Sequence, residues 1–250
     1  MAGSVSTRQL NTLVRWVDRL IVGISRHWLG LFLCFYGFFV LLPWLSPVLM
    51  HTGYESAGRL IQALYSAVCH QYPERSFFLY GPKTMYSIEE IQAVWPYYET
   101  ITRWRQFIGT PEMGWKVAWS DRMVSMYTSV WVGALIFRFL RRRLRPLPTR
   151  GLAILALPIL LDGGTHMIND LLGLGFRQDN AWLAALTGHA LPASFYAGDA
   201  LGSFNSWMRL ITGALFGLGV VWFAFPWVER AFQEVRHDLG EASLRSGAQI

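Results

Sequence analysis

The adjacent pair Cys69 and His70 is the first place where residue types suggest chemistry. A thiolate and a neutral imidazole are both good ligands for zinc or copper. Neighbouring residues of a helix point about 100° apart, so binding one ion through both side chains requires a turn, and further ligands would come from distant residues such as Asp162 or His166. The structural alternative is that the pair ends a helix, which Pro73 prevents from continuing. No cofactor is evident from the motifs.

Ionisable residues in or beside apolar segments form a second group. Asp162 and His166 are four residues apart and share one helix face, and Arg122 and Arg209 lie at the ends of two other apolar segments. Such residues form either a buried ion-pair network that fixes helix register or an anion pocket, because guanidinium groups bind phosphate and carboxylate through paired hydrogen bonds. The candidates for a polar pocket are Cys69, His70, Arg75, Arg122, Asp162, His166 and Arg209.

The composition indicates a membrane protein. The chain of 250 residues is 53% hydrophobic and only 15% charged, whereas soluble domains carry roughly a quarter charged residues. The densest basic run, RRRLR at 141–145, directly follows an apolar stretch. A nucleic-acid-binding protein would instead spread its basic residues over a folded soluble face, so we expect no nucleic-acid partner. Two cysteines, Cys34 and Cys69, are too few for a disulfide framework, and their predicted depths place them too far apart to be bridged.

Four apolar segments are long enough to cross a bilayer as helices. The predicted spans are about 28–49, 123–140, 151–172 and 207–228. Basic residues collect before the first span and between the second and third, which predicts that both termini are cytoplasmic. The apolar face of residues 8–23 predicts an amphipathic helix on the cytoplasmic surface.

The predicted fold class is therefore all-α: a four-helix transmembrane bundle with amphipathic interfacial helices and a long helical outer loop, forming one domain over residues 1–250. In that loop we predict a helix over Ser56–Cys69 and a second helix that begins with a capping box of Ser87 and Glu90. Asp179 is predicted to cap a later short helix that stops at Gly188.

Small residues at helical spacing predict close helix packing. They occur in the second and fourth spans at Ser125, Ser129, Gly133, Gly213 and Gly217. Stripes of this kind allow helix backbones to approach closely inside a bundle. The pattern alone does not separate packing within one chain from pairing between two copies.

Four ordered motifs resemble a family of prokaryotic integral membrane proteins catalogued as domain of unknown function two-zero-eight-five. The motifs cover roughly residues 65–225 and read CHQYPERSFFLYG, GWKVAWSDRMVSMY, LPILLDGGTH and NSWMRLITGALFG. The resemblance implies a small protein with several spans in the inner membrane of a prokaryotic cell, and it implies no particular activity. It carries over to Cys69, His70, Gln71, Arg75, Ser76, Arg122, Asp162, Gly163 and Arg209.

The chain departs from the family pattern at two positions. Where the family usually has a cysteine in the second motif, this chain has Ser120. Where a cysteine or aspartate often follows the arginine of that motif, it has Met123. A metal or disulfide role of Cys69, if the family has one, therefore lacks its second thiol here.

Two functions remain as hypotheses. The first is an accessory or scaffold subunit that packs against protein partners in a larger membrane complex, and this interpretation is favoured because no complete catalytic set can be assembled. The second is a binding protein or enzyme, embedded in the lipid bilayer, with an outward-facing pocket for a lipid headgroup, a small anion or a metal. A pump or channel is disfavoured, because only one acid, Asp162, is predicted deep inside the bundle.

Overall fold

The computed structural model describes residues 7–97 and 100–246. The first half of the chain contains α1 (Thr7–His51), α2 (Glu55–Tyr65), β1 (Ser76–Leu79), α3 (Ile88–Val94), α4 (Ile101–Trp104), β2 (Gly109–Thr110) and β3 (Gly114–Ser120). The second half contains α5 (Asp121–Leu140), α6 (Thr149–Leu172), α7 (Phe176–Asp179), α8 (Ala181–Leu186), α9 (Ala193–Tyr196) and α10 (Phe204–Ser246).

Four of the described helices are long and apolar enough to cross a membrane. Their candidate spans are Val14–His51, Asp121–Leu140, Thr149–Leu172 and Phe204–Glu241. The all-α class and the four predicted spans are thereby confirmed. α5 and α10 pack closely against each other, α6 packs mainly on α10, and α1 contacts both α5 and α10.

The predicted amphipathic helix at 8–23 is not a separate element. It continues into the first span without a break, so that α1 has 45 residues and a length of about 68 Å at 1.5 Å per residue. The hydrocarbon core of a bilayer is only about 30 Å thick. α1 therefore extends well beyond one membrane face, and the described apolar side chains of this extension, including Val14, Val17 and Ile21, are exposed.

The loop between the first two spans was predicted to be helical, and this prediction is wrong in part. The loop also contains a three-stranded antiparallel sheet with the order β1-β3-β2. β3 was not predicted, because its residues from Lys116 to Trp119 are buried on both faces of the sheet. A strand buried in this way lacks the alternation of apolar and polar residues by which strands are recognised. The sheet lies against the C-terminal half of α1 and packs Val117 and Trp119 against Val40 and Tyr65.

The local predictions for the loops agree in part with the structure. The capping box of Ser87 and Glu90 is present at the start of α3, and Asp179 accepts a hydrogen bond from the backbone N–H of Ala181 at 3.0 Å where α8 begins. α2 ends at Tyr65 rather than at Cys69. The cysteine therefore lies in the turn that follows the helix.

The predicted small-residue stripes lie where α5 meets α10. A Cβ atom added to Gly217 would lie 2.1 Å from Ser129 Oγ and 2.4 Å from the carbonyl oxygen of Met126. A Cβ atom at Gly213 would lie 3.0 Å from the carbonyl oxygen of Arg122, and one at Gly133 would contact Val221 at 3.2 Å. Ser125 donates a hydrogen bond to the carbonyl oxygen of Leu210. In this structure the stripes are therefore occupied by a contact within one chain.

Candidate functional site

A cavity of about 500 Å³ lies at the end of the bundle where α5 and α10 begin and α6 ends. Six of the seven predicted pocket residues line it: Cys69, His70, Arg75, Arg122, His166 and Arg209. The remaining wall consists of Gln71, Tyr72, Ser120, Met123, Gly163, Met167, Asp170 and Leu171. The seventh predicted residue, Asp162, is buried behind the wall. Folding thus brings together residues from four separate stretches of the sequence.

Asp162 is bound by two arginines from different elements. Arg122 Nη2 lies 2.7 Å from Asp162 Oδ2, and Arg177 Nη2 contacts the other carboxylate oxygen. Gly163 leaves room for this arrangement, because a Cβ atom there would lie 2.6 Å from Arg122 Nη1. These ion pairs join α5, α6 and α7. Arg209, another of the three predicted arginines, binds different carboxylates.

Arg209 bridges Asp121 and Asp199, and both pairs are almost wholly removed from solvent. Its Nε lies 2.8 Å and 2.9 Å from the two carboxylate oxygens of Asp121, and its Nη1 lies 2.5 Å from Asp199 Oδ1. Arg75 Nε binds the second oxygen of Asp199 at 3.1 Å. Burial disfavours the charged form of Asp199, but the guanidinium groups of Arg75 and Arg209 outweigh it and hold the pKa of this carboxyl below its ordinary value.

Sequence reasoning found Asp162 but missed the other acids and the fourth arginine of this cluster. The missed residues are Glu74, Asp121, Asp170, Arg177 and Asp199. All of them lie at the ends of spans or in the loops between them, as do the arginines that were found. A search for opposite charges at the same end of the bundle could have selected them, since a buried arginine requires a carboxylate partner.

His166 carries a hydrogen-bond donor without an acceptor. Its Nε2 lies 2.9 Å from Arg177 Nη2, and because an arginine side chain only donates, Nε2 must be the acceptor. The proton of the neutral ring therefore lies on Nδ1, which is buried and has no hydrogen-bond partner in the described part of the chain. Arg122 Nε is buried and unpartnered in the same way. Two N–H groups beside the cavity thus remain unsatisfied.

Cys69 is buried and His70 is exposed, although both residues line the cavity. Cys69 Sγ accepts hydrogen bonds from the backbone N–H groups of Gln71 at 3.3 Å and Ser120 at 3.5 Å, and it lies 3.5 Å from Ser120 Oγ. His70 is exposed, and its ring stacks near Tyr72. Within residues 7–97 and 100–246, no group of three or more His, Cys, Asp or Glu side chains is arranged to hold a metal ion. The described geometry therefore offers the pair no third ligand.

Lys116, next to this site, is a buried amine, and no carboxylate of residues 7–97 and 100–246 forms an ion pair with it. It is 0% exposed, and its Nζ donates to the carbonyl oxygens of Gln71 at 2.8 Å and Arg105 at 3.0 Å. Burial lowers the pKa of this amine from 10.5 to about 7. The neutral amine is thus the favoured form in the folded protein at mildly alkaline pH.

We expect the stability of the protein to rise with pH between about 7 and 10.5 because of Lys116. In this interval the unfolded chain binds the proton and the folded protein does not, so the free energy of unfolding increases by up to about 1.4 kcal/mol per pH unit. Lys116→Met should remove this rise. The measurement is unfolding in detergent across the interval for both proteins, and equal pH slopes would contradict the assignment.

The fold and the cluster define a class: an integral membrane protein with four candidate spans and a network of ion pairs that closes one end of the bundle around a cavity. Residues 112–197 match the family described as predicted membrane protein (DUF2085). This match confirms the resemblance over the segment that contains Arg122, Asp162 and His166.

One similar protein is the uncharacterized protein MJ1492 of Methanocaldococcus jannaschii. It is 26% identical to this chain over 195 residues, which cover 75% of this chain and 84% of that protein. No solved structure matches the chain. The comparisons therefore support the membrane-protein class.

Proposed function

We propose that this protein binds an amphiphile, with the polar head of the ligand in the cavity and its apolar part at the membrane. The observation that carries this proposal is the unsatisfied N–H of His166 beside a cavity of about 500 Å³. Sites for small molecules are typically of about 300–1,000 Å³ and combine apolar walls with a few placed polar groups. The size and lining of this cavity fit that description.

The rim of the cavity supports an amphipathic ligand rather than a small soluble one. Met167 and Leu171 lie on α6 and are largely exposed, Leu171 to 75%. Met123 on α5 adds a third apolar side chain. A candidate membrane-spanning helix presents exposed apolar residues to lipid, so this part of the rim borders the hydrocarbon. A ligand with a long apolar chain can therefore enter from the bilayer.

The charges of the cluster favour a head group rich in hydrogen-bond acceptors over a strongly anionic one. Arg75, Arg122 and Arg209 line the cavity, but each is already paired with at least one carboxylate. The free groups are single N–H donors, which suit ester, phosphodiester or hydroxyl oxygens.

The accessory-subunit hypothesis remains as a second candidate, supported by the extension of α1. Its exposed apolar residues, such as Val14, Val17 and Ile21, would be covered by a partner helix or by the membrane surface. We place this end of the bundle on the cytoplasmic side, because the basic residues of the chain collect there.

One experiment tests both candidates: purification from the source membrane in mild detergent, followed by native mass spectrometry. If the protein binds an amphiphile, we expect the mass spectra to show one recurrent lipid-like ligand per chain. Met167→Trp, which narrows the cavity, should remove most of this ligand, whereas Ile168→Trp on the same helix should retain it, because Ile168 is also exposed but does not line the cavity. Recovery without any ligand, in a complex of fixed stoichiometry with other proteins, would instead favour the accessory subunit.

A further inference from the structure

A second cavity, of about 320 Å³, lies at the opposite end of the bundle. It is lined by Arg26, Arg141, Arg142, Glu229, Gln233 and Arg236. On α10, Glu229 lies 20 residues after Arg209, which corresponds to about 30 Å along a helix. This distance equals the thickness of the hydrocarbon core. The two cavities therefore lie at opposite faces of the membrane.

The walls of this second cavity come from three parts of the chain that the fold holds together. Arg26 belongs to α1, Arg141 and Arg142 directly follow α5, and Arg236 belongs to α10. Arg236 donates to the backbone carbonyl oxygen of Ser25, which ties α10 to α1 beside Arg26. The arginines are thus gathered by helix packing and are not merely neighbours in one basic loop.

The single acid of this cavity is largely satisfied by neutral groups. Glu229 accepts hydrogen bonds from Trp28 Nε1 at 2.9 Å and from Gln233 Nε2 at 3.0 Å. Arg141 and Arg236 approach its carboxylate only to 3.7 Å. In the described part of the chain, Arg26 and Arg142 have no carboxylate within 4.0 Å. Four guanidinium groups thus surround one carboxylate, which leaves a surplus of three positive charges.

We infer that this cavity binds the phosphate head group of an anionic phospholipid. Guanidinium groups recognise phosphate through paired, charge-assisted hydrogen bonds, and basic pockets between membrane helices hold anionic head groups. The position favours a lipid over free phosphate, because the exposed apolar side chains of Phe139 and Trp227 lie within one helical turn of Arg141 and Glu229 and so place the edge of the hydrocarbon at the depth of the cavity. These side chains can contact the acyl chains. This inference is independent of the amphiphile proposed for the other cavity.

The test compares two double variants with equal net charge. Arg26→Gln with Arg142→Gln removes the two arginines without a carboxylate partner, so the fold should persist. Arg143→Gln with Arg145→Gln removes two exposed arginines that do not line the cavity. Each protein is placed in nanodiscs that contain phosphatidylglycerol and phosphatidylcholine, and the lipid retained after extraction is counted by native mass spectrometry.

We expect the unaltered protein and the Arg143/Arg145 variant to retain phosphatidylglycerol in preference to phosphatidylcholine. The Arg26/Arg142 variant should lose this preference by roughly tenfold or more, since each arginine near a membrane surface contributes appreciably to binding. Equal losses in both variants would overturn the inference, because they would show a general effect of charge. Retention of inorganic phosphate without any preference among lipids would also overturn the assignment to a lipid.

Discussion

Arg209→Met is expected to lower the free energy of unfolding by about 3–5 kcal/mol, the range typical for the loss of one partner from a buried ion pair. Arg209 is 2% exposed and binds Asp121, which is fully buried, and Asp199. Its removal leaves Asp121 as a buried carboxylate without a cation, although Asp199 keeps Arg75. The measurement is denaturant or thermal unfolding in detergent.

The matched control is Arg59→Met, which breaks an exposed pair with Glu55. We expect this change to cost no more than about 1 kcal/mol, because exposed ion pairs contribute little. If the stranded carboxylate causes the loss, Asp121→Asn in the Arg209→Met background should recover part of the stability. If Arg209→Met lowers the free energy of unfolding by no more than Arg59→Met does, the ion pairs of Arg209 do not hold the bundle together.

Ser120→Cys is expected to form a disulfide with Cys69 and to stabilise the oxidised protein by about 4 kcal/mol, the value for cross-linking a loop of this length in the chain-entropy model. The two residues are 51 positions apart in the chain, and their side-chain sulfur and oxygen atoms lie 3.5 Å apart. This is the position at which the chain has serine where the family it resembles usually has cysteine. The two side chains thus already lie beside each other, although the second thiol is absent.

The disulfide is detected by faster migration on a non-reducing gel and by a rise in the unfolding temperature that reductant abolishes. Ser120→Cys combined with Cys69→Ala is the control, because it keeps the new thiol and removes its partner. We expect this double variant to show neither effect. A Ser120→Cys protein that stays reduced under mild oxidation would indicate that the turn after α2 and the end of β3 do not meet as described.

The spans and the composition of the cavity wall could be predicted from the sequence, whereas the pairing within the cluster could not. Apolar runs of about 20 residues are a strong local signal, and the ionisable residues in or beside them could be selected as candidates for one pocket. Which acid meets which arginine depends on how helices far apart in the chain are rotated against one another. Arg209 therefore could not be assigned to Asp121 and Asp199 before the fold was known.

The sheet was missed, and the continuity of the helix at 8–23 with the first span was not predicted, for different physical reasons. β3 is hard to recognise in the sequence because apolar residues occur on both of its faces. It also contains Lys116, a residue type that usually lies at the surface, and this lysine is buried because its amine donates to backbone carbonyl oxygens. The segment before the first span shows a genuine amphipathic pattern, but a pattern of this kind does not reveal whether the helix bends at the membrane surface. Continuity of the backbone across residues 8–28 could be decided only by the structure.

The way α6 is buried determines how this helix can move. Its buried residues are all polar, namely Asp162, His166 and Asn169, while its apolar side chains, including Leu160 and Leu161, face outward. Rotation of α6 about its own axis would carry Asp162 into hydrocarbon, which costs about 2.5–3.5 kcal/mol on insertion scales, and would also break two ion pairs. Lateral separation of α6 would break the ion pair with Arg122 as well, because this arginine belongs to α5. The rotation of α6 and its distance from α5 therefore depend on the same residue, Asp162, so the width of the cavity and its polarity are coupled.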